Sequence, residues 1–173
     1  QKLLVSFYTM RNILRDGGAQ DIAALQQLNY TTGSGGYTNS TTPSIWPSKG
    51  VITSPYGSRV DPVTGAASAF HEGVDIADDY GTPIVATAAG TVTFAGYTEG
   101  GYGNLVEIDH GNGFVTRYGH NSAVLVTPGM TVKQGQVIAL MGSTGKSTGA
   151  HVHYEVRING SAVDPMVFLP ISN

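Results

Sequence analysis

The chain has no cysteine. Disulfide staples and thiolate metal sites are therefore excluded, so any metal must be held by imidazole or carboxylate. An oxidising compartment remains compatible with this absence. Charge is also scarce: nine Lys and Arg against twelve Asp and Glu make 12% charged residues and a net charge of −3. That offers no basic face for a phosphate backbone, so no nucleic-acid partner is expected. No apolar run approaches the ~20 residues of a spanning helix, so no membrane span is expected in this chain. Helical periodicity is missing after residue 28. What is abundant is glycine, 24 in 173 residues, set among short apolar runs that make up a 40% hydrophobic content. That content suits a folded core, and short runs punctuated by glycine read as strands joined by tight turns.

The chain divides into three parts. Leu3, Phe7, Met10 and Leu14 share one helix face, Gly17-Gly18 breaks the run, and Asp21, Ile22, Leu25 and Leu28 suggest a second short helix. Residues 1–28 are thus expected to be a helical segment, either the end of a coiled coil or a helix packed on the main domain. Residues 29–44, rich in Thr, Gly, Ser and Asn, read as a flexible linker. The main domain is expected over 45–173, mostly antiparallel β, with no helix after residue 50. A chain starting at Gln1 rather than Met reads as a fragment or a processed product. Short strands are expected at 51–53, 81–87 and 90–96. A hairpin is expected over 104–118, turning at His110-Gly111-Asn112-Gly113.

The chemistry gathers around histidine. In Ala150-His151-Val152-His153-Tyr154-Glu155-Val156 the residue types read as a strand, so His151 and His153 face one side together. Two imidazoles side by side are usually used by a metal; the alternative is a pair of exposed or hydrogen-bonded strand histidines. His71 and Asp75 lie four apart in a segment that reads as extended, because of Gly73, Val74 and Ile76. There they too share a face, as metal ligands or as a surface pair. The other histidines are His110 and His120. Catalytic zinc sites use three protein ligands and leave one position open. His, His and Asp make a natural triplet, with further imidazoles left for proton transfer. The residues alone thus reach a zinc hydrolase without naming its substrate. His110, in a turn signal, is expected to be structural. Glu72 and Glu155 are expected to alternate away from their neighbouring histidines, solvated or structural rather than acting as the general base.

Several separated motifs agree in order and spacing with one family. Ser54-Pro55-Tyr56-Gly57-Ser58-Arg59, then Phe70-His71-Glu72-Gly73-Val74-Asp75, resemble the opening signature of the lysostaphin/LytM-type zinc metallopeptidases. Gly90-Thr91-Val92, Tyr102-Gly103-Asn104, His110-Gly111-Asn112-Gly113, Arg117-Tyr118-Gly119-His120 and the run from Gly142 to Glu155 continue it. The resemblance covers roughly residues 45–168. It implies an antiparallel β-sheet core forming a substrate groove, related to the barrel-sandwich hybrid. It implies one zinc per chain, held by His71, Asp75 and His153, with His120 and His151 as catalytic residues. It implies hydrolysis of amide bonds in peptidoglycan stem peptides or cross-bridges. It also implies an extracytoplasmic bacterial location, often with an upstream anchor and coiled coil. Some members have lost ligands and act as non-catalytic peptidoglycan-binding or regulatory modules. Every ligand position is kept here, so an active enzyme is expected. The run 132–138 also resembles lipoyl- and biotinyl-type β domains, which have no use for a His-x-His pair.

Overall fold

The computed structural model describes residues 37–59, 63–65 and 69–171. The expected helical segment 1–28 lies outside the described residues, as do 29–36. The described chain runs through thirteen strands. These are β1 (Val51–Ser54), β2 (Gly57–Arg59), β3 (Ala69–His71), β4 (Val74–Ala77), β5 (Pro83–Val85), β6 (Gly90–Thr98) and β7 (Gly103–Gly111). They continue as β8 (Phe114–Asn121), β9 (Ala123–Val124), β10 (Thr131–Val132), β11 (Val137–Leu140), β12 (His151–Ile158) and β13 (Ser161–Val163). A single 3-10 turn, Pro165–Val167, is the one helical element among the described residues.

Every strand pair is antiparallel. The main sheet has the order β1-β4-β12-β8-β7-β6-β10, with β13 beside the second half of β12. A small sheet β5-β11-β9 and the ribbon β2-β3 complete the fold. The mostly β, antiparallel expectation holds. Strands read at 81–87 and 90–96 are both present as β5 and β6, but they enter different sheets. The β7–β8 hairpin turns where the sequence placed it. Gly111, Asn112 and Gly113 all take positive φ there (79°, 53° and 83°), the left-handed region that Gly and Asn tolerate best.

The core explains why β12 is central. Val152, Tyr154 and Val156 point inward and are fully buried with Val74, Ile76, Val106, Ile108 and Tyr118. Burying two tyrosines requires partners for their hydroxyls. The Tyr154 hydroxyl donates to Thr87 Oγ1 (2.8 Å), and the Tyr118 hydroxyl bonds Thr87 and Thr116. His110 ends this chain. Its Nδ1–H donates to the Ala89 carbonyl (2.9 Å), and its Nε2 accepts from the Thr116 hydroxyl (2.7 Å). His110 is therefore structural, as expected, but it is a buried member of β7 rather than a turn residue.

Two contacts fix the edges of the domain. Thr38 pairs with Gln134 through both backbone amides, and the Ser40 carbonyl accepts from Ala89 N–H. The Gln134 amide donates to Ser44 Oγ (3.0 Å) and the carbonyls of Thr42 and Thr87. Residues 37–44, placed in the linker by their composition, thus lie against β10, β11 and the 86–89 turn. The second contact is Gly73, between β3 and β4. A Cβ there would stand 2.3 Å from the Tyr154 carbonyl oxygen, so only glycine lets the chain cross so close to β12.

Removing residues 1–36 is expected to leave a cooperatively folded domain. Removing 1–44 should lower stability by about 1–2 kcal/mol, because the hydrogen bonds that Thr38, Thr42 and Ser44 make with Gln134 are lost. Gly73→Ala should cost about 3 kcal/mol through the backbone clash. Thermal melts of the three variants against the parent check this; an unchanged melt for Gly73→Ala would contradict the close approach.

Candidate metal centre

Strand pairing brings the ligand candidates together. β12 runs antiparallel to β4 with His153 opposite Asp75. The β2–β3 ribbon carries His71 in from the side. His71 and Asp75 therefore do not share one continuous extended segment, as their spacing had suggested. They sit on strands of different sheets, joined by the Glu72-Gly73 step. The convergence is tight all the same. His71 Nε2, Asp75 Oδ1 and His153 Nδ1 lie 3.1 Å from one another on all three sides. All three side chains are largely shielded from solvent.

The protons on these groups are set by their outer partners. His71 Nδ1 faces the Pro55 carbonyl at 2.9 Å. A carbonyl only accepts, so Nδ1 carries the proton and Nε2 presents a lone pair. His153 Nε2 faces Glu155 Oε2 at 2.7 Å, so in the neutral ring the proton sits there and Nδ1 is bare. Two imidazole lone pairs and a carboxylate oxygen then point at one spot. Three acceptors at this separation repel unless a cation stands between them. Zinc bonds of about 2.0–2.1 Å in tetrahedral geometry would set the ligand atoms roughly 3.3–3.4 Å apart, close to the triangle seen. Among the described residues this is the one His/Asp/Glu group with metal-ligand convergence. The donor set fits one zinc ion.

The ionisation pattern has the same cause. Burial alone would raise the Asp75 carboxyl, but hydrogen bonds from His153 and His71 hold it well below the usual carboxylate range. Burial opposes charge on His153, yet hydrogen bonds to Asp75 and Glu155 outweigh it and push the imidazole up to about 9 without metal. A proton is the small cation that fills the triangle when nothing else does.

His151 and His120 stand beside the triangle. His151 Nδ1–H donates to the Gly149 carbonyl (2.8 Å), leaving Nε2 bare and 3.7 Å from Asp75 Oδ1. His120 Nδ1–H donates to the Thr144 carbonyl (2.7 Å), so its Nε2 is bare as well. The two rings are 4.6 Å apart, and His120 is 6.0 Å from the His153 ring. Alternation along β8 put His120 on the side of Thr116 and Tyr118, which is the core side. The chain departs from alternation there: His120 takes φ 66°, and its ring comes to lie beside those of His151 and His153. Burial pushes the His120 imidazole down to about 4, so it is neutral near pH 7.

Glu155 overturns its sequence reading. It was expected on the face opposite its neighbouring histidine, solvated or structural. It is two residues from His153, hence on the same face, and its side chain is 1% exposed. It accepts from His153 Nε2, from the Tyr102 hydroxyl (2.7 Å) and from Arg157 Nε (2.8 Å). Burial would raise this carboxyl, but those donors lower it to about 2. Glu72 matches its reading, pairing with Arg157 at the surface (2.8 Å). Tyr102 and Arg117 also border the site unforeseen: Arg117 bonds Glu107 (2.6 Å) and the Tyr102 hydroxyl. The i, i+2 spacing of His153, Glu155 and Arg157 was the signal available.

An antiparallel β fold in which a His/Asp/His triplet converges, backed by two further imidazoles, fits the zinc metallopeptidase class. Comparison with known proteins agrees. The profile described as peptidase family M23 matches residues 69–165. A DD-carboxypeptidase/endopeptidase Mpg of Neisseria meningitidis is 49% identical over 120 residues, 69% of this chain and 27% of that protein. The murein hydrolase activator NlpD of Escherichia coli is 40% identical over 72% of this chain and 31% of its own length. A zinc-containing peptidase from Vibrio cholerae superposes with a TM-score of 0.64 at 36% identity, covering 75% of this chain and 39% of that one. The catalytic domain of lysostaphin from Staphylococcus simulans gives 0.63 at 34% identity, covering 68% and 90%. The chain belongs to peptidase family M23, and the lysostaphin/LytM-type resemblance is borne out. It spans about a third or less of the length of these two curated relatives.

His153→Ala is expected to lose zinc, because two remaining ligands hold it poorly. His151→Ala and His120→Ala should each keep about one zinc per chain. Metal analysis of the folded variants checks this. A metal-free His151→Ala beside a zinc-loaded His153→Ala would reverse the assignment within the pair.

Proposed function

We propose that this chain is a zinc-dependent endopeptidase that hydrolyses amide bonds in peptidoglycan stem peptides or cross-bridges. The observation that carries the reading is the triangle of three donor atoms 3.1 Å apart with two bare imidazole nitrogens beside it. His71, Asp75 and His153 are the ligands, and His120 and His151 the catalytic residues. Zinc bound there would polarise a scissile carbonyl and bring the pKa of a coordinated water to about 7. The chain's own residues do the rest. His120 and His151 present Nε2 as proton acceptors, since the Thr144 and Gly149 carbonyls hold the proton on Nδ1. One takes the proton of the attacking water and, so protonated, stabilises the developing oxyanion or returns that proton to the leaving amine, while the other orients the water by accepting at its bare Nε2.

The catalytic domain is taken as residues 45–173, with 37–44 strapped to it. The bond class follows the relatives: one is named for carboxypeptidase and endopeptidase activity, and the other as a murein hydrolase activator. An extracytoplasmic bacterial location goes with this reading, because peptidoglycan lies outside the membrane, and relatives named as lipoproteins in Escherichia coli and Pseudomonas aeruginosa support it. The activator supplies a second reading, a regulatory module without hydrolysis. The complete ligand set favours the enzyme.

Digestion of defined muropeptides by zinc-loaded protein, read by mass spectrometry, decides between them. The expected result is hydrolysed peptide amide bonds, with His151→Ala or His120→Ala slower by ~10²–10⁴-fold. Intact muropeptides with zinc-loaded protein would favour the regulator.

Activity should also fall in acid. The ligand imidazoles bind metal only when neutral, and His153 holds a proton up to about pH 9 in the metal-free site. Zinc uptake near neutral pH must therefore release a proton. Acidification favours the protonated, metal-free state, so zinc affinity should weaken progressively as pH falls below about 9, and zinc content and rate should drop together in acid. A profile unchanged down to pH 5 would contradict imidazole ligation.

A further inference from the structure

The face that carries the metal ligands continues along β12 into a buried ionic cluster that none of the assigned roles uses. Glu155 lies at its centre. Its carboxylate is 1% exposed, and both oxygens are occupied. Oε2 accepts from His153 Nε2 and from the Tyr102 hydroxyl, both at 2.7 Å, and Oε1 accepts from Arg157 Nε at 2.8 Å. Arg117 Nη1 is 3.9 Å from Oε1 and donates to the same tyrosine hydroxyl at 3.1 Å. Arg157 in turn is tied to Glu72, and Arg117 to Glu107. A carboxylate held from three sides cannot follow a moving imidazole; the imidazole must conform to it. The Tyr102 ring also stands 5.7 Å from the His153 ring, closing that side.

His153 differs from the other three imidazoles of the site. His71, His120 and His151 are each oriented by a neutral backbone carbonyl on Nδ1. His153 alone is oriented by a full negative charge, and through Nε2. A neutral imidazole has one proton, so a fixed acceptor at Nε2 leaves Nδ1 as the nitrogen free for metal. A carboxylate behind a ligating histidine also raises the basicity of its metal-binding nitrogen.

We propose that Glu155 is a positioning residue for the metal centre: it locks His153 in the Nε2–H tautomer, with Nδ1 toward the metal, and strengthens zinc binding by its buried charge. The inference rests on the zinc reading above. Arg157 and Tyr102 hold Glu155 in place, and Glu72 lies one link further out, beyond the part that touches His153.

The test is zinc affinity, measured by competition with a chromophoric chelator, for the parent, Glu155→Gln, Glu155→Ala, Glu72→Gln and His153→Ala. Glu155→Gln keeps an acceptor but loses the charge, and about tenfold weaker binding is expected. Glu155→Ala loses both, and up to about a hundredfold is expected. Glu72→Gln should bind as the parent does, since it leaves Glu155 and His153 untouched. Parental affinity in folded Glu155→Gln and Glu155→Ala, with His153→Ala still losing zinc, would overturn the proposal and leave the metal reading intact. A parent that binds no zinc would sink both. Should neither Glu155 variant fold, heteronuclear NMR of the zinc-loaded parent decides. A slowly exchanging proton on His153 Nε2 with metal on Nδ1 is expected, and metal on Nε2 overturns the assignment.

Discussion

Three acceptor atoms at 3.1 Å from one another cannot share that space without a cation, and the site is arranged around that constraint. Each imidazole is told which nitrogen to present by a partner that only accepts: the carbonyls of Pro55, Thr144 and Gly149, and the Glu155 carboxylate. Gly149 and Glu155 lie two residues from the rings they orient, whereas Thr144 and Pro55 reach His120 and His71 from elsewhere in the chain. The fold therefore delivers orientation as well as proximity. Four rings, each turned so that one nitrogen faces inward, form a cavity that attracts a metal, and in its absence a proton on His153.

The sheet keeps such a cavity rigid by working on both faces. On one face of β12, His151, His153, Glu155 and Arg157 form the site and its ionic surround. On the other, Val152, Tyr154 and Val156 anchor the strand in the core. The hydroxyls of Tyr154 and Tyr118 pass into the buried chain of Thr87, Thr116 and His110, where each donor finds an acceptor. A fully satisfied polar chain favours one packing over others, because any slip strands a buried hydroxyl. Gly73 allows the β3–β4 step to approach β12 closely enough for His71 and Asp75 to meet His153.

The sequence by itself determined the β class, the β7–β8 turn and the pairing of His151 with His153 on one face. Each follows from local rules, period-two alternation and the φ tolerance of Gly and Asn, and needs no knowledge of distant contacts. Motif order carried the family and the five site residues. The rest depended on tertiary structure. The left-handed turn at His120 breaks alternation, and no local signal marks it. His71 and Asp75 meet through two sheets rather than one strand, because the approach is set by packing of Gly73 against β12. The strap at 37–44 looks like linker in composition, since its hold on Gln134 and Ala89 consists of polar bonds to distant residues, many of them backbone, that residue type does not announce. Glu155 was legible in its spacing. Its burial and its hold on His153 were decided only when Tyr102, Arg117 and Arg157 were brought around it. A charge is tolerated at that depth only where hydrogen-bond partners satisfy it, here His153 and Arg157 on the same strand together with Tyr102 from another part of the chain.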